Sequence, residues 1–91
     1  MAGIRRTAVF LSLALCGSAA FAAANCPKYP KSEWMKPEEA KARIAAQGYK
    51  IRKFKVDGNC YEIYGHTKEG KKAEIYFDAK TLAIVKSEIE K

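Results

Sequence analysis

The chain has 91 residues with a formal net charge of +7 at pH 7, and 48% of its residues are hydrophobic. This length supports one small domain and excludes a second one. Three cysteines and one histidine are present, so few side chains are available for nucleophilic or metal chemistry.

The first 24 residues have the three-part layout of a cleavable export signal. Arg5 and Arg6 provide a positive start, residues 8–15 form a short apolar run, and small residues follow. The apolar run is too short to remain in a bilayer as a permanent helix. We therefore expect Sec-type export, with cleavage after Ala22 or Ala24, to the periplasm of a bacterium or into the medium. No transmembrane segment is expected after cleavage.

Two other export routes have partial signatures in the same segment. The Arg5-Arg6 pair suggests twin-arginine export, but the following residues lack the aromatic–leucine continuation of such signals. Residues 13–16 end on Cys16 and resemble a lipoprotein cleavage box, yet a bulky Leu15 stands where a small residue is required. A plain Sec signal is favoured over both alternatives.

Two cysteines, Cys26 and Cys60, remain after cleavage, and the net charge falls to +5 because Arg5 and Arg6 are lost. An even pair of cysteines in an oxidising compartment predicts a disulfide. Closing this loop would stabilise the fold by roughly 3–4 kcal/mol in the chain-entropy model. A metal or redox pair is the alternative, but the spacing is unlike C-x-x-C and His66 is the one imidazole available to join it.

A helix is predicted after an extended lead-in. Residues 25–36 are polar and contain two prolines, which is typical of the lead-in. Pro37 opens the helix, because proline is tolerated at the first helical position and the two glutamates that follow suit the positive end of the helix dipole. Gly48 is expected to end it as a left-handed cap. The stripe that faces the core is thin and consists of Ala40, Ile44 and Ala45.

The hydrophobic period changes to two after the helix, as in β-strands. Turn sequences at residues 57–59 and 68–70 separate the segments and are suited to hairpins. We predict four strands, the last one the weakest, at residues 49–56, 60–67, 71–78 and 82–88.

The register of the second hairpin follows from keeping its apolar side chains on one face. A three-residue loop with Gly70 left-handed achieves this, whereas a two-residue loop would place Glu62 opposite Phe77. The pairs on the apolar face are then Tyr61–Phe77, Ile63–Ile75 and Gly65–Ala73. The pairs on the other face are Glu62–Tyr76, Tyr64–Glu74 and His66–Lys72.

The first hairpin requires a local irregularity. A loop with an even number of residues places Phe54 and Val56 on the apolar face. Ile51 is also apolar but has the opposite parity, so we predict a β-bulge near Arg52-Lys53.

These elements predict an α+β fold over residues 37–91. One N-terminal helix packs on the apolar face of a three- to four-stranded antiparallel β-meander. The sequence contains no internal repeats.

The succession of motifs resembles the PepSY family, and more closely its small secreted single-domain branch. The resemblance covers residues 34–85 and rests on a tryptophan, a short helix, a basic strand and several turn and core sequences. These are Trp34, Gln47-Gly48-Tyr49, Asp57-Gly58, Cys60-Tyr61-Glu62-Ile63, Lys68-Glu69-Gly70-Lys71 and Glu74-Ile75-Tyr76-Phe77-Asp78. The family's D-P-x-T-G turn reads D-A-K-T-L at residues 78–82, without the proline and the glycine.

PepSY domains occur in propeptides of thermolysin-like metalloproteases and in exported bacterial proteins. The resemblance therefore implies a role in protein binding, with protease inhibition or modulation as the usual proposal. It brings no catalytic residues to this chain.

The side chains available do not indicate catalytic chemistry. A hydrolase needs a nucleophile beside a base, and His66 lies at a predicted hairpin end, where a solvated side chain is the simpler interpretation. Glu62 and Glu74 share the outer face, but carboxylates alternating with tyrosines are ordinary cross-strand pairs on a wet sheet face. We expect no enzyme activity, no metal and no cofactor.

Two surfaces are candidates for binding. The first, the basic strip, either protects an edge strand or binds anions, and it comprises Lys50, Arg52, Lys53 and Lys55. The second, the outer-face quartet, comprises Glu62, Tyr64, Glu74 and Tyr76.

The expected partner is another periplasmic or secreted protein, bound through a sheet edge or the outer-face quartet. A basic sensor or buffer for small ligands or anionic surfaces is the alternative. Nucleic acid is not expected as a partner, although basic surfaces attract it, because an exported protein rarely meets it.

Overall fold

A computed structural model describes residues 24–91 of the chain. The expected export signal, with its cleavage site after Ala22, lies outside the described residues apart from Ala24. No helix within residues 24–91 is long and apolar enough to cross a membrane.

The described chain forms one α+β layer pair, which confirms the predicted fold class. A 3-10 helix precedes helix α1, and four antiparallel strands follow in the sheet order β1-β2-β3-β4. The bounds are Lys31–Glu33 for the 3-10 helix, Pro37–Ala46 for α1, Lys50–Asp57 for β1, Cys60–His66 for β2, Lys72–Asp78 for β3 and Ile84–Ile89 for β4.

The lead-in is fastened to the sheet by covalent, polar and aromatic contacts. The predicted disulfide joins Cys26 to Cys60, with their Cα atoms 5.4 Å apart. The Trp34 ring packs edge-on against Tyr61, with 5.4 Å between ring centroids. The Met35 amide donates a hydrogen bond to the Ala79 carbonyl at 2.9 Å. The lead-in is therefore held at both ends, and its 3-10 turn was not anticipated from the sequence.

Helix α1 begins and ends as the sequence predicts. Pro37 is its first residue, and Gly48 follows it with a φ of 106°, the left-handed conformation that glycine adopts without strain. Ala40 and Ile44 are fully buried. The prediction for Ala45 was wrong, because its side chain is exposed: it lies about 100° around the helix from Ile44.

The register of the sheet confirms both hairpin predictions. All six predicted pairs between β2 and β3 are present, and Gly70 has a φ of 89° in their loop. In the first hairpin Phe54 lies opposite Ile63, and the pairing shifts between Ile51 and Lys53. The predicted bulge is therefore real, and Arg52 is the extra residue.

The core lies between α1 and one face of the sheet, hereafter the inner face. Its largest fully buried apolar side chains are Phe77, Ile44, Ile63 and Ile75. Val56 lies opposite Tyr61 as expected, yet its side chain is 52% exposed. The apolar face thus extends beyond the area that the helix and the lead-in cover.

The turn between β3 and β4 forms without the proline and the glycine of the D-P-x-T-G pattern. The Asp78 Oδ1 atom accepts hydrogen bonds from the amides of Lys80 (2.8 Å) and Thr81 (2.9 Å). Leu82 then adopts a φ of 65°, a left-handed conformation that strains a residue with a Cβ. Only 7% of Leu82 remains exposed. The burial of this apolar side chain offsets the strain of its left-handed backbone.

Candidate binding surface on the outer face

The basic strip and most of the outer-face quartet occupy one surface. By the register of β1 with β2, Lys50, Lys53 and Lys55 lie opposite His66, Tyr64 and Glu62. The three lysines therefore share the face that carries the quartet, while Arg52 lies in the bulge. The Nζ atoms of Lys53 and Lys55 are 6.0 and 5.4 Å from the centroid of the Tyr64 ring. Two candidates that looked separate in the sequence form one surface.

Glu62 is buried on this face, so the expectation of a wet face was wrong at this position. Its side chain is 1% exposed. Lys55 Nζ approaches its Oε1 atom at 3.8 Å, and its Oε2 atom has no hydrogen-bond partner. Tyr76, directly across on β3, is also largely buried at 9% exposure. The side chains of Lys55 and Tyr76 form a single layer over Glu62. This layer, hereafter the cover, is thinner than the core on the inner face.

The Glu62 carboxyl is paired with the carboxyl of Glu74. Burial raises the pKa of Glu62 first of all, and the hydrogen bond with Glu74 raises it further, against the opposing effects of Tyr64 and Lys55. The same hydrogen bond is the main cause that lowers the pKa of Glu74. Because two ionised carboxylates are both acceptors, this bond needs a proton. The opposite shifts give Glu62 the higher pKa of the two carboxyls.

Two tyrosine hydroxyls complete the arrangement around the carboxyl pair. Tyr76 donates a hydrogen bond to Glu74 Oε2 at 3.0 Å. Hydrogen bonds to Glu74 and then to Glu62 raise the pKa of Tyr64 to about 12. Burial, followed by the bond to Glu74, raises the pKa of Tyr76. Both hydroxyls therefore remain protonated donors across the physiological pH range.

An open groove of about 710 Å³ crosses the outer face beside this cluster. Tyr64 and Glu74 line it, but Glu62 and Tyr76 do not. Its walls carry both signs of charge, from Arg52, Lys53, Lys55, Lys72, Glu74, Glu88 and Glu90. Two members of the quartet, Tyr64 and Glu74, therefore face the groove. The other two, Glu62 and Tyr76, lie outside its lining.

The acidic wall contributed by β4 was missed in the sequence. Glu88 lies opposite Glu74 in the register of β3 with β4, and the Lys72 amide donates to Glu90 Oε1 at 2.8 Å. Extending the alternation of faces from β3 into β4 would have found both residues. No register was predicted for the fourth strand.

A family model described as a peptidase propeptide and YPEB domain matches residues 6–88. The chain belongs to the PepSY family. PepSY domains are generally non-catalytic propeptide or inhibitor-like modules that interact with proteins, usually in extracellular or periplasmic locations. The disulfide of this PepSY chain fits an oxidising compartment. No curated protein and no solved structure matches the chain.

The chemistry of this PepSY surface is set by hydroxyl, ammonium and carboxylate groups. Among residues 24–91 there is no group of three or more histidine, cysteine, aspartate or glutamate side chains that could hold a metal ion. Of the two carboxyls, Glu62 lies under the cover and Glu74 lines the groove. The groove itself offers hydroxyl and ammonium donors together with carboxylate acceptors.

Proposed function

We propose that this PepSY chain is a non-enzymatic module that binds another envelope or secreted protein and modulates it, with a peptidase as the leading class of target. The observation that carries the proposal is membership of a family described by its peptidase propeptides. The Sec-type signal expected from the sequence would deliver the chain to the periplasm or the medium, where such targets are found.

The groove on the outer face is the surface we assign to this binding. Its walls carry charges of both signs, and Tyr64 is 38% exposed, so an aromatic surface is available in the groove. Tyrosine is favoured at protein interfaces because it combines a large contact area with a hydroxyl. An extended segment of a target protein, carrying both charged and apolar side chains, fits this combination.

The binding test uses a photo-crosslinking amino acid at two positions of the full chain in the native host. One replaces Tyr64 in the groove, and the matched control replaces Ala42, which is exposed on α1. We expect a discrete protein to be captured at position 64 and not at position 42. Capture of the same proteins at both positions, or of none at position 64, would contradict the proposal.

The contribution of the groove charges is tested with Lys72→Glu. This residue lines the groove, whereas Lys68 lies in the β2–β3 loop and outside the groove lining, so Lys68→Glu is the control for the same change in charge. We expect only Lys72→Glu to reduce capture. Modulation is then measured as the activity of the captured protein with and without the purified chain, and an unchanged activity would reject that half of the proposal.

The arrangement of the basic strip favours a second candidate, an anion-binding sensor or buffer. Lys50, Lys53 and Lys55 share one face, and Arg52 adds a fourth positive charge at the bulge. Polyphosphate or anionic vesicles should raise the melting temperature of the chain, and high salt should abolish the effect because it screens exposed charges. No shift at low salt would reject this candidate.

A further inference from the structure

The two edges of the sheet are protected to different degrees. The β1 edge carries a bulge and the four positive charges of the basic strip, which discourage pairing with another strand. The β4 edge has a register shift of its own between Lys86 and Ile84, so its regular ladder with β3 runs from Lys86 to Ile89. The β4 edge pairs with β3 alone among the described residues. It also leaves large apolar side chains in solvent, with exposed fractions of 49% for Ile84, 38% for Val85 and 43% for Ile89. The open edge of this sheet is β4.

The alternation of the antiparallel ladder determines which backbone groups of β4 remain available. The Glu90 amide donates to the Lys72 carbonyl at 2.9 Å. Along the regular ladder from Lys86 to Ile89, the even-numbered residues therefore point their N–H and C=O groups towards β3, and the odd-numbered residues point theirs outwards. Ser87 and Ile89 present outward groups to a further strand, and Val85 is the extra residue at the register shift.

We propose that the occupant of this edge is a second copy of the chain, paired β4 to β4 in antiparallel orientation about Ser87. In this register each Ser87 lies opposite its own copy, and Val85 of one chain lies opposite Ile89 of the other. The two Ser87 residues would exchange about two backbone hydrogen bonds, and the outward groups of Ile89 would face Val85 of the other copy. The two four-stranded sheets would become one continuous sheet with a twofold axis through its centre.

Charge complementarity singles out this register. Lys86 and Glu88 lie on the outer face, opposite Tyr76 and Glu74, and they form an ion pair of 3.4 Å within the strand. Pairing about Ser87 sets Lys86 of each copy against Glu88 of the other, which gives four charges of alternating sign. The neighbouring registers that keep the outward backbone groups aligned place Lys86 against Lys86 or Glu88 against Glu88. Like charges directly opposite each other destabilise a strand pair.

The apolar side chains support the same arrangement. Ile89 lies on the inner face opposite Ala73, and Ile84 lies opposite Phe77. Helix α1 lies nearest β1, so the inner face is left uncovered along β4. Two copies joined at this edge would bring these exposed margins together and remove apolar surface from water.

The test is the mass of the full chain, expressed from its own start codon and purified with the disulfide oxidised. Sedimentation equilibrium should show the mass doubling between about 10 µM and 1 mM. This range suits a contact through a single strand edge, which belongs to the weak, transient class of interfaces. Lys86→Glu and Glu88→Lys should each raise the dissociation constant about tenfold, because two symmetric ion pairs become repulsive. The double swap Lys86→Glu with Glu88→Lys should restore the wild-type value.

Two further variants test whether the copies pair through the β4 edge. Ser87→Pro removes an outward N–H group without removing a ladder bond to β3, so the chain should fold and remain a monomer. Lys68→Glu makes the same change in charge as Lys86→Glu away from this edge and should leave the dissociation constant unchanged. A wild-type chain that is monomeric up to 1 mM, or a dimer that tolerates both single charge reversals, would overturn the proposal. So would a chain that captures strands of other proteins but never its own.

Discussion

Replacing Glu62 with glutamine probes the energetics of the covered carboxyl pair. Glutamine has nearly the same shape, carries no charge, and can donate a hydrogen bond to Glu74 as the protonated acid does. The wild-type chain at neutral pH must either keep a proton on Glu62 or leave an ionised carboxylate with an unpartnered Oε2 atom. The substitution removes that conflict, so we expect it to stabilise the fold.

The size of the gain follows from the burial of the group. An unsatisfied buried polar group costs about 1–3 kcal/mol. The lower end applies here, because the cover is one side chain thick and Lys55 Nζ lies 3.8 Å from the other carboxylate oxygen. We expect Glu62→Gln to raise the free energy of unfolding by about 1 kcal/mol at pH 7. For a domain of this size that corresponds to about 5 °C in melting temperature.

The pH dependence gives a second readout with a definite sign. The pKa of Glu62 is raised in the folded chain, so the folded state binds more protons than the unfolded state above the ordinary value of 4.5. The stability of the wild-type chain should therefore fall as the pH rises from there through the raised pKa, and stay lower beyond it. Glu74 has the opposite shift, so its contribution is lost only as the pH falls below the same ordinary value. Glu62→Gln should remove the fall at higher pH.

Urea unfolding between pH 4 and pH 8, followed by the fluorescence of Trp34, measures both quantities. Glu39→Gln is the control, because Glu39 forms an exposed pair with Arg43 at 2.9 Å and such pairs contribute about 0–1 kcal/mol. A Glu62→Gln chain that is less stable than the wild type at pH 7 and retains the wild-type pH profile would contradict this expectation. Lys55 would then compensate the buried charge in full.

Two further predictions concern the disulfide and the close packing at Gly65. Replacing Cys26 and Cys60 with alanine should lower the free energy of unfolding by about 3–4 kcal/mol, and a reducing agent should then have no further effect on urea unfolding; a loss below about 1 kcal/mol would show that the closed loop contributes little. Gly65→Ala should cost about 3 kcal/mol or prevent folding, because a Cβ atom there collides with the Lys50 carbonyl oxygen. Gly58→Ala meets open space at a φ of 62° and should cost only about 1 kcal/mol, so equal melting temperatures for the two variants would contradict this account.

Much of the fold could be predicted because the sheet has a single apolar face. The requirement that Tyr61, Ile63, Ile75 and Phe77 point the same way allows one register for the second hairpin. The opposite parity of Ile51 and the later apolar residues of β1 requires one extra residue between them. These predictions depend only on the period of the strand, which the sequence states directly.

The burial of Glu62 could not be predicted in the same way. Strand period assigns a residue to a face but does not say what lies over it. Here the cover comes from Tyr76 across the strand pair and from the aliphatic stem of Lys55 on the opposite side. Both side chains are amphipathic, with an apolar body that shields and a polar tip that reaches water. Their conformations depend on three strands at once, which no single segment specifies.

The bulge at Arg52 also determines where this domain tolerates changes in length. Deleting Arg52 would leave Ile51 and Lys53 adjacent, and the strand would continue as a regular ladder with every later side chain on its present face. A deletion elsewhere in β1 would turn the side chains between that point and the bulge to the opposite face of the sheet. The bulged backbone also adds to the crowding at Gly65, where a Cβ atom would lie 3.2 Å from the Arg52 amide nitrogen and nearer still to the Lys50 carbonyl oxygen. In an alignment of homologous chains, a gap at this position should accompany a larger residue in place of that glycine.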